Sequence, residues 1–277
     1  MKQALRFCGA ALLALFASSC IEQESTVRLN KDGSGTITQT VLMSAEMLEM
    51  ASQGGEDPTK QMVDKEKAEA QAAKMGEGVT VQKVEPLTKG DKKGAIIVYA
   101  FKDINKVKYG FSQALSGMND KAADVGAGGD APDAEGAKEN DKPIVFVYKD
   151  GELSVTLPQD KDKAKAGEEK PAADEEKKEE DEMANQMMEM MKEMLKDMRI
   201  TFKLEMPGGI AESDATHVDG NTVTVMDVPF GKLVSDPAKM KKLQSMKDAE
   251  PAEVAAAFKD VEGLKIETKE QIKVKLK

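Results

Sequence analysis

The chain has few of the side chains that usually carry enzyme chemistry. Its 277 residues include one histidine, two cysteines and no tryptophan, and aromatic residues make up only 4%. The histidine, His217, stands beside a predicted turn, and a single imidazole supports neither a zinc site nor a Ser-His or Cys-His catalytic pair. No glycine-rich loop leads from a predicted strand into a helix, as phosphate-binding loops do. We therefore expect a protein that is not an enzyme and uses no cofactor, with His217 on its surface.

Basic charge and long apolar runs are also scarce. Lysine and arginine number 40 against 50 acidic residues, which gives a formal net charge of −10. Such a surface disfavours nucleic acid and anionic lipid headgroups as partners. After residue 20, no apolar run approaches the roughly 20 residues that a transmembrane helix needs. The sequence therefore predicts no nucleic-acid partner and no membrane-spanning helix.

The first twenty residues have the pattern of an export signal. Lys2 and Arg6 precede a short apolar run, and small residues stand ahead of Cys20. This segment resembles the signal of bacterial lipoproteins, in which a peptidase cuts before the cysteine and the thiol carries a diacylglycerol. The resemblance implies a signal peptide over 1–19 and a lipidated Cys20; an ordinary secretory signal with a chance cysteine is the alternative.

Lipidation of Cys20 would make a membrane the first partner of this protein. Residue 21 is Ile rather than Asp, which by the same resemblance implies the outer membrane, with the protein facing the periplasm. The outer face of the plasma membrane is the alternative. Cys8 would leave with the signal, so no thiol would remain for a disulfide, a metal or a nucleophile.

Two segments lack the apolar residues that a core requires. Residues 118–141 are rich in Gly, Ala and Asp, and residues 159–182 contain no Val, Ile, Leu, Met or aromatic residue. Neither segment can offset the entropy cost of ordering, so we expect two disordered acidic insertions. The pattern between them predicts a hairpin over 144–157, which needs further strands to be stable. We therefore expect one domain over 20–277, with the insertions as flexible loops inside it.

Alternating apolar residues around Asp-Gly turns predict a sheet built from hairpins. The stretch 29–39 also matches the first half of an EF-hand, with Asn30, Asp32 and Ser34 at ligand positions. Val41 stands where that loop needs a bidentate Glu, so a tight turn is favoured over a calcium site. Besides the 144–157 hairpin, we expect strands over 25–31, 35–43, 79–86, 95–102, 199–206, 222–228 and 264–276.

Helical periodicity and capping residues complete the predicted fold. Asp103 and Asp236 are candidate N-caps, and Pro237 follows the second of them at the first helical position. The predicted fold class is α+β: a mainly antiparallel sheet of hairpins with amphipathic helices on one face. Helices are expected over 44–53, 59–76, 103–117, 183–198, 237–247 and 251–260.

A methionine-rich segment over 183–198 holds seven of the eighteen methionines. Their three- and four-residue spacing aligns the thioethers on one side of a helix. Three interpretations remain open: packing against the sheet, an adaptable docking surface, or soft ligands for Cu(I) or Ag(I). The residues of the candidate docking surface are Met187, Met190, Met191 and Met194.

Two stretches resemble the LppM-type domain of bacterial lipoproteins. Residues 199–230 contain a strand ending in Pro207-Gly208, then an Asp219-Gly220 turn and a second strand, and residues 26–42 resemble the first hairpin of that family. The resemblance implies an envelope-facing domain with an apolar groove for lipid and no catalytic residues. We therefore expect a membrane-anchored module that binds an unknown envelope protein. A carrier of apolar ligands, with a groove lined by side chains such as Phe101, Phe111 and Val145, is the alternative.

Overall fold

The computed structural model describes residues 21–52, 57–110, 143–158, 195–196, 198–246 and 251–277. The predicted signal peptide, Cys20, both predicted insertions and Met187, Met190, Met191 and Met194 lie outside these residues. The strands, in chain order, are β1 (Ile21–Leu29), β2 (Gly35–Met43), β3 (Thr80–Lys89), β4 (Lys92–Phe101), β5 (Lys108–Tyr109), β6 (Ile144–Lys149), β7 (Glu152–Thr156), β8 (Met198–Glu205), β9 (Ile210–Ser213), β10 (Val218–Asp219), β11 (Thr222–Pro229), β12 (Lys265–Ile266) and β13 (Gln271–Leu276). The helices are α1 (Ala45–Ser52), α2 (Pro58–Met62), α3 (Lys65–Lys74), α4 (Phe230–Val234), α5 (Pro237–Gln244) and α6 (Pro251–Ala257).

The larger sheet has the strand order β10-β11-β8-β1-β2-β4-β3, with β12 paired to β11. Its pairs are antiparallel except β1 with β8, which run parallel. The predicted α+β class with a large antiparallel sheet is confirmed. The parallel pair joins segments about 180 residues apart in the chain, so no turn signal in the sequence could have predicted it.

The first hairpin is closed by the turn whose sequence also suggested calcium. Leu29 pairs with Gly35, and Gly33 takes a positive φ of 84° that suits glycine. One carboxylate oxygen of Asp32 accepts hydrogen bonds from the Ser34 backbone N–H at 3.0 Å and from its hydroxyl at 2.6 Å. These bonds lower the pKa of Asp32. The carboxylate thus stabilises the turn, and Val41 lies within β2.

A smaller sheet of order β5-β6-β7-β13-β9 packs against the larger one. Alternate residues of β6, β7 and β13 are buried, and they share one apolar cluster with the inward side chains of β1, β2, β4 and β8. The predicted 144–157 hairpin is present and does gain further strands. One face of the larger sheet is therefore covered partly by a second sheet and partly by helices.

The predicted strand over 264–276 divides between the two sheets. Lys265–Ile266 pairs with β11, and Gln271–Leu276 pairs with β7 and β9. Residues 267–270 connect the larger sheet to the smaller one. The alternation predicted in both halves is present, and the break falls where Glu270 interrupts the apolar face.

Two helix predictions were wrong in part. The helix expected over 59–76 is two helices, because the Asp64 carboxylate accepts hydrogen bonds from the backbone of Glu66 and Lys67 and starts α3 anew. The helix expected over 103–117 is a 3-10 turn, Ile104–Lys106, followed by β5. Asp103 does cap that turn, but buried Tyr109 and the pairing with β6 favour extended backbone; residues 111–117 lie outside the described part.

The remaining helices mostly match their predictions. α1, α5 and α6 lie within the ranges expected, and the Asp236 carboxylate caps α5 by accepting from the Ala238 backbone N–H. α4 was not predicted, since its five residues are too few for a periodic pattern. Met198, predicted as the end of the methionine-rich helix, is instead the first residue of β8.

Candidate functional site

The described chain starts at Ile21, which follows Cys20 directly and is already the first residue of β1. Ile21 pairs with Met43 at the end of β2 and with Met198 at the start of β8. Cys20 itself lies outside the described residues. Because consecutive Cα atoms are 3.80 Å apart, any group on Cys20 is joined to this end of the larger sheet with no intervening loop. We call it the Ile21 end.

An apolar cluster lies at the Ile21 end. Ile21, Val41 and Met43 are buried on the inward face of the sheet. Met47 and Leu48 of α1 and Met62 of α2 pack over them but are only half-buried. The helices form here because the chain leaves β2 at Met43 and the apolar spacing of α1 turns Met47 and Leu48 toward the sheet. The result is a compact group of methionine, leucine and isoleucine side chains that is partly open to solvent.

Ion pairs line the outward face of the larger sheet near the same end. Glu22 pairs with Lys92, whose side chain is buried, and with Lys89, whose Nζ lies 3.2 Å from the carboxylate. Burial raises the pKa of Glu22, but hydrogen bonds and attraction from these lysines outweigh it and lower the pKa. Arg199 donates two hydrogen bonds of 2.8 Å to Asp227 on β11. Each of these acids therefore has a basic partner: Glu22 has lysines at the ends of β4 and β3, and Asp227 has Arg199 on the adjacent strand β8.

A buried polar layer separates the apolar cluster at the Ile21 end from the main core. The Tyr109 hydroxyl donates to Ser25 Oγ at 2.8 Å and accepts from Gln39 Nε2 at 3.1 Å. Gln23 is 3% exposed, and its Oε1 accepts no hydrogen bond within the described residues. Gln23 and Ser25 follow Ile21 on the inward face of β1, so the polar layer crosses the sheet next to the Ile21 end.

Glu267 is the most completely surrounded carboxylate in the described residues. It is 2% exposed and accepts hydrogen bonds from the Thr216 backbone N–H at 2.6 Å and hydroxyl at 2.8 Å. The backbone N–H groups of Thr268 and Lys269 donate to it at 2.9 and 3.1 Å. Burial raises the pKa of Glu267, but these bonds outweigh it and lower the pKa. The carboxylate fixes the crossing from β12 to β13 against the loop before β10, a structural role that alternation in the sequence did not indicate.

The residues predicted to line an apolar groove do not come together. Phe101 is buried in the core between the sheets, whereas Val145 lies on the outward face of the smaller sheet and is 49% exposed. Phe111 lies outside the described residues. A depression in the described part of the chain is open to solvent, and its lining is about equally polar and apolar: Ala73, Lys74, Gly76, Glu77, Lys106 and Lys108.

His217 is half-buried just before β10, and its backbone carbonyl accepts from the Thr224 N–H at 2.9 Å. His217 was predicted on the surface, and its side chain is partly exposed. Within the residues that the structure describes, no group of three or more His, Cys, Asp or Glu side chains is arranged to hold a metal ion. No helix among them is both long and apolar enough to cross a membrane.

Comparisons with known proteins add little beyond this geometry. No family model matches the chain, and no curated protein matches it in sequence. Among solved structures, the NMR structure of the folded domain of LppM from Mycobacterium tuberculosis is similar over 81% of this chain and 86% of that domain. The TM-score is 0.31 and the sequence identity 9%, so the LppM-like resemblance is weak.

Proposed function

We propose that this protein is a lipid-anchored lipoprotein of the bacterial cell envelope, held at a membrane by acylated Cys20. There it acts as a non-catalytic binding or structural module. The outer membrane, with the body of the protein in the periplasm, is the proposed location. The observation that carries the proposal is the signal-like segment ending in Cys20, followed at once by a folded strand.

The energetics of acylation support a stable anchor. Each buried methylene contributes about 0.8 kcal/mol, so one chain gives marginal binding and two or more give stable attachment. A cysteine carrying diacylglycerol supplies two chains from one residue. The anchor therefore needs no transmembrane helix and no basic patch, which fits the net charge of −10.

Metabolic labelling with radioactive palmitate in a bacterial host tests the anchor directly. We expect label in the mature wild-type protein and a mass at the new amino terminus that includes a diacylglyceryl cysteine. Cys20→Ala should abolish both and leave an uncleaved precursor. Cys8→Ala is the matched control and should mature normally, because Cys8 leaves with the signal. Normal processing of the Cys20→Ala variant would overturn the proposal.

Native mass spectrometry separates the two binding hypotheses. The mature protein purified from its own host should retain a protein partner if it is an interaction module. A mass increment of lipid size, removed by organic extraction, would instead identify a carrier of apolar ligands. The separation of Phe101 from Val145 favours the first hypothesis.

A further inference from the structure

We infer that the Ile21 end of the larger sheet lies directly against the lipid bilayer, so that the domain has a fixed orientation on the membrane. The inference rests on the proposed acylation of Cys20. It commits to the lipid bilayer, at the boundary between headgroups and acyl chains, as the surface that covers the half-buried apolar cluster formed by Met47, Leu48 and Met62 over Ile21, Val41 and Met43.

No flexible segment separates Cys20 from the folded sheet. The acyl chains on Cys20 fix that residue at the glycerol level of the membrane, and the next Cα is only 3.80 Å away. That next residue, Ile21, is 5% exposed and already paired on both sides, with Met43 and Met198. A folded and paired residue cannot extend to provide a spacer unless β1 frays.

The β3–β4 turn and α1 lie at the Ile21 end of the larger sheet, and the β10–β11 turn lies at the opposite end. The turn between β3 and β4 lies beyond the level of Ile21, since Met43 pairs with Lys93 and the strands continue to the Lys89–Lys92 pair. α1 leaves the sheet at the same end, immediately after Met43. The turn between β10 and β11 lies at the opposite end, because Thr222 pairs with Glu205, whose neighbour on β1 is Arg28. With about 3.3 Å per residue, the two ends of β1 are about 26 Å apart.

The side chains at the Ile21 end are chemically suited to contact with lipid. Methionine and leucine side chains adapt to irregular apolar surroundings, so a partly open cluster of them suits the boundary between headgroups and acyl chains. The carboxylates of Glu22 and Asp227 near this end are paired with Lys92, Lys89 and Arg199. Such pairing reduces the cost of bringing these acids close to lipid, and no anionic lipid is needed to hold the orientation.

Depth-dependent fluorescence quenching tests the orientation in the full acylated protein. The mature chain has no free thiol once Cys8 is removed and Cys20 is acylated, so an introduced cysteine can be labelled selectively. We would place a fluorophore at Asp91→Cys in the β3–β4 turn and, as the matched control, at Asn221→Cys in the β10–β11 turn; both positions are exposed turn residues. Each protein is reconstituted in phosphatidylcholine vesicles that contain headgroup-nitroxide lipid.

We expect several-fold stronger quenching at Asp91→Cys than at Asn221→Cys. Equal quenching at the two positions, or stronger quenching at Asn221→Cys, would overturn the inference. In a variant with twenty Gly and Ser residues inserted between Cys20 and Ile21, a flexible tether of about 25 Å should abolish the difference. A difference that survives the insertion would overturn the claim that the short tether sets the orientation.

The same samples separate failure of this inference from failure of the proposed function. Mass spectrometry of each reconstituted protein reports whether Cys20 carries acyl chains. An unmodified Cys20 would overturn the lipoprotein proposal and the orientation with it. Acylated protein with equal quenching at both turns would overturn the orientation alone.

Discussion

Replacing Glu267 with glutamine should destabilise the protein by about 3 kcal/mol. The carboxylate is 2% exposed and accepts four hydrogen bonds, one on Oε2 from Thr216 N–H and three on Oε1. A glutamine can keep the three bonds on its oxygen but turns its NH₂ group toward the Thr216 N–H. The lost bond and the unsatisfied donor cost about 1–3 kcal/mol, and loss of charge from the other three bonds adds about 1–2 kcal/mol.

Urea denaturation of a chain that begins at residue 21 would measure this loss. With a slope of roughly 2 kcal/mol per molar urea, the midpoint should fall by about 1–2 M at pH 7. Glu212→Gln, an exposed carboxylate on β9, is the control and should change stability by less than about 0.5 kcal/mol.

Acidification should reduce the difference in stability between the wild type and Glu267→Gln. The pKa of Glu267 is lowered in the folded protein from its ordinary value of 4.5. Its carboxylate therefore stabilises the fold fully above about pH 4.5, and that contribution is lost as the pH falls through the folded pKa. A midpoint shift below 0.3 M at pH 7, or a shift that grows on acidification, would refute the structural role of this carboxylate.

Three other variants test the packing and the sequence. Tyr109→Phe removes the hydroxyl that joins Ser25 to Gln39, and its urea midpoint should report a loss of about 1–2 kcal/mol. An unchanged midpoint would contradict a stabilising role for this hydroxyl. Gly94→Ala places a Cβ 1.8 Å from the Val41 carbonyl oxygen, so we expect a loss of about 3 kcal/mol or more in stability and a lower thermal midpoint. Thr36→Ser is the control and should be nearly neutral. If the methionine-rich segment binds Cu(I), the wild-type protein should retain the metal after chelator treatment, and a variant with four methionines changed to leucine should lose it. The four are Met187, Met190, Met191 and Met194. Retention of Cu(I) by that variant would exclude them as ligands.

Local patterns in the sequence predicted the hairpins well. The Asp32-Gly33 and Asp150-Gly151 turns are flanked by alternating apolar residues, and both close antiparallel pairs in the structure. The Asp236 cap with Pro237 likewise predicted the start of α5. These features depend on residues within one turn or one strand of each other, so the chain encodes them locally.

Predictions failed where distant contacts compete with local preference. Residues 103–109 have a helical apolar spacing, but Tyr109 stacks on Phe202 with ring centroids 5.5 Å apart, and β5 pairs with β6. Those contacts come from strands far along the chain and favour extended backbone. For the same reason, no pattern indicated that Glu267 would be buried, since its donors on Thr216 lie about 50 residues earlier.

The sequence alone determined that the chain is acidic, that it has a lipoprotein-like segment ending in Cys20, and that it alternates like a protein of hairpins. Only the tertiary structure decided that Ile21 lies in β1 between β2 and β8, and that Met47 of α1 and Met62 of α2 pack around it. The physical reason is that composition and periodicity act over a few residues. Strand order, and therefore which side chains surround Ile21, is set by apolar surfaces that meet only when the two sheets pack together.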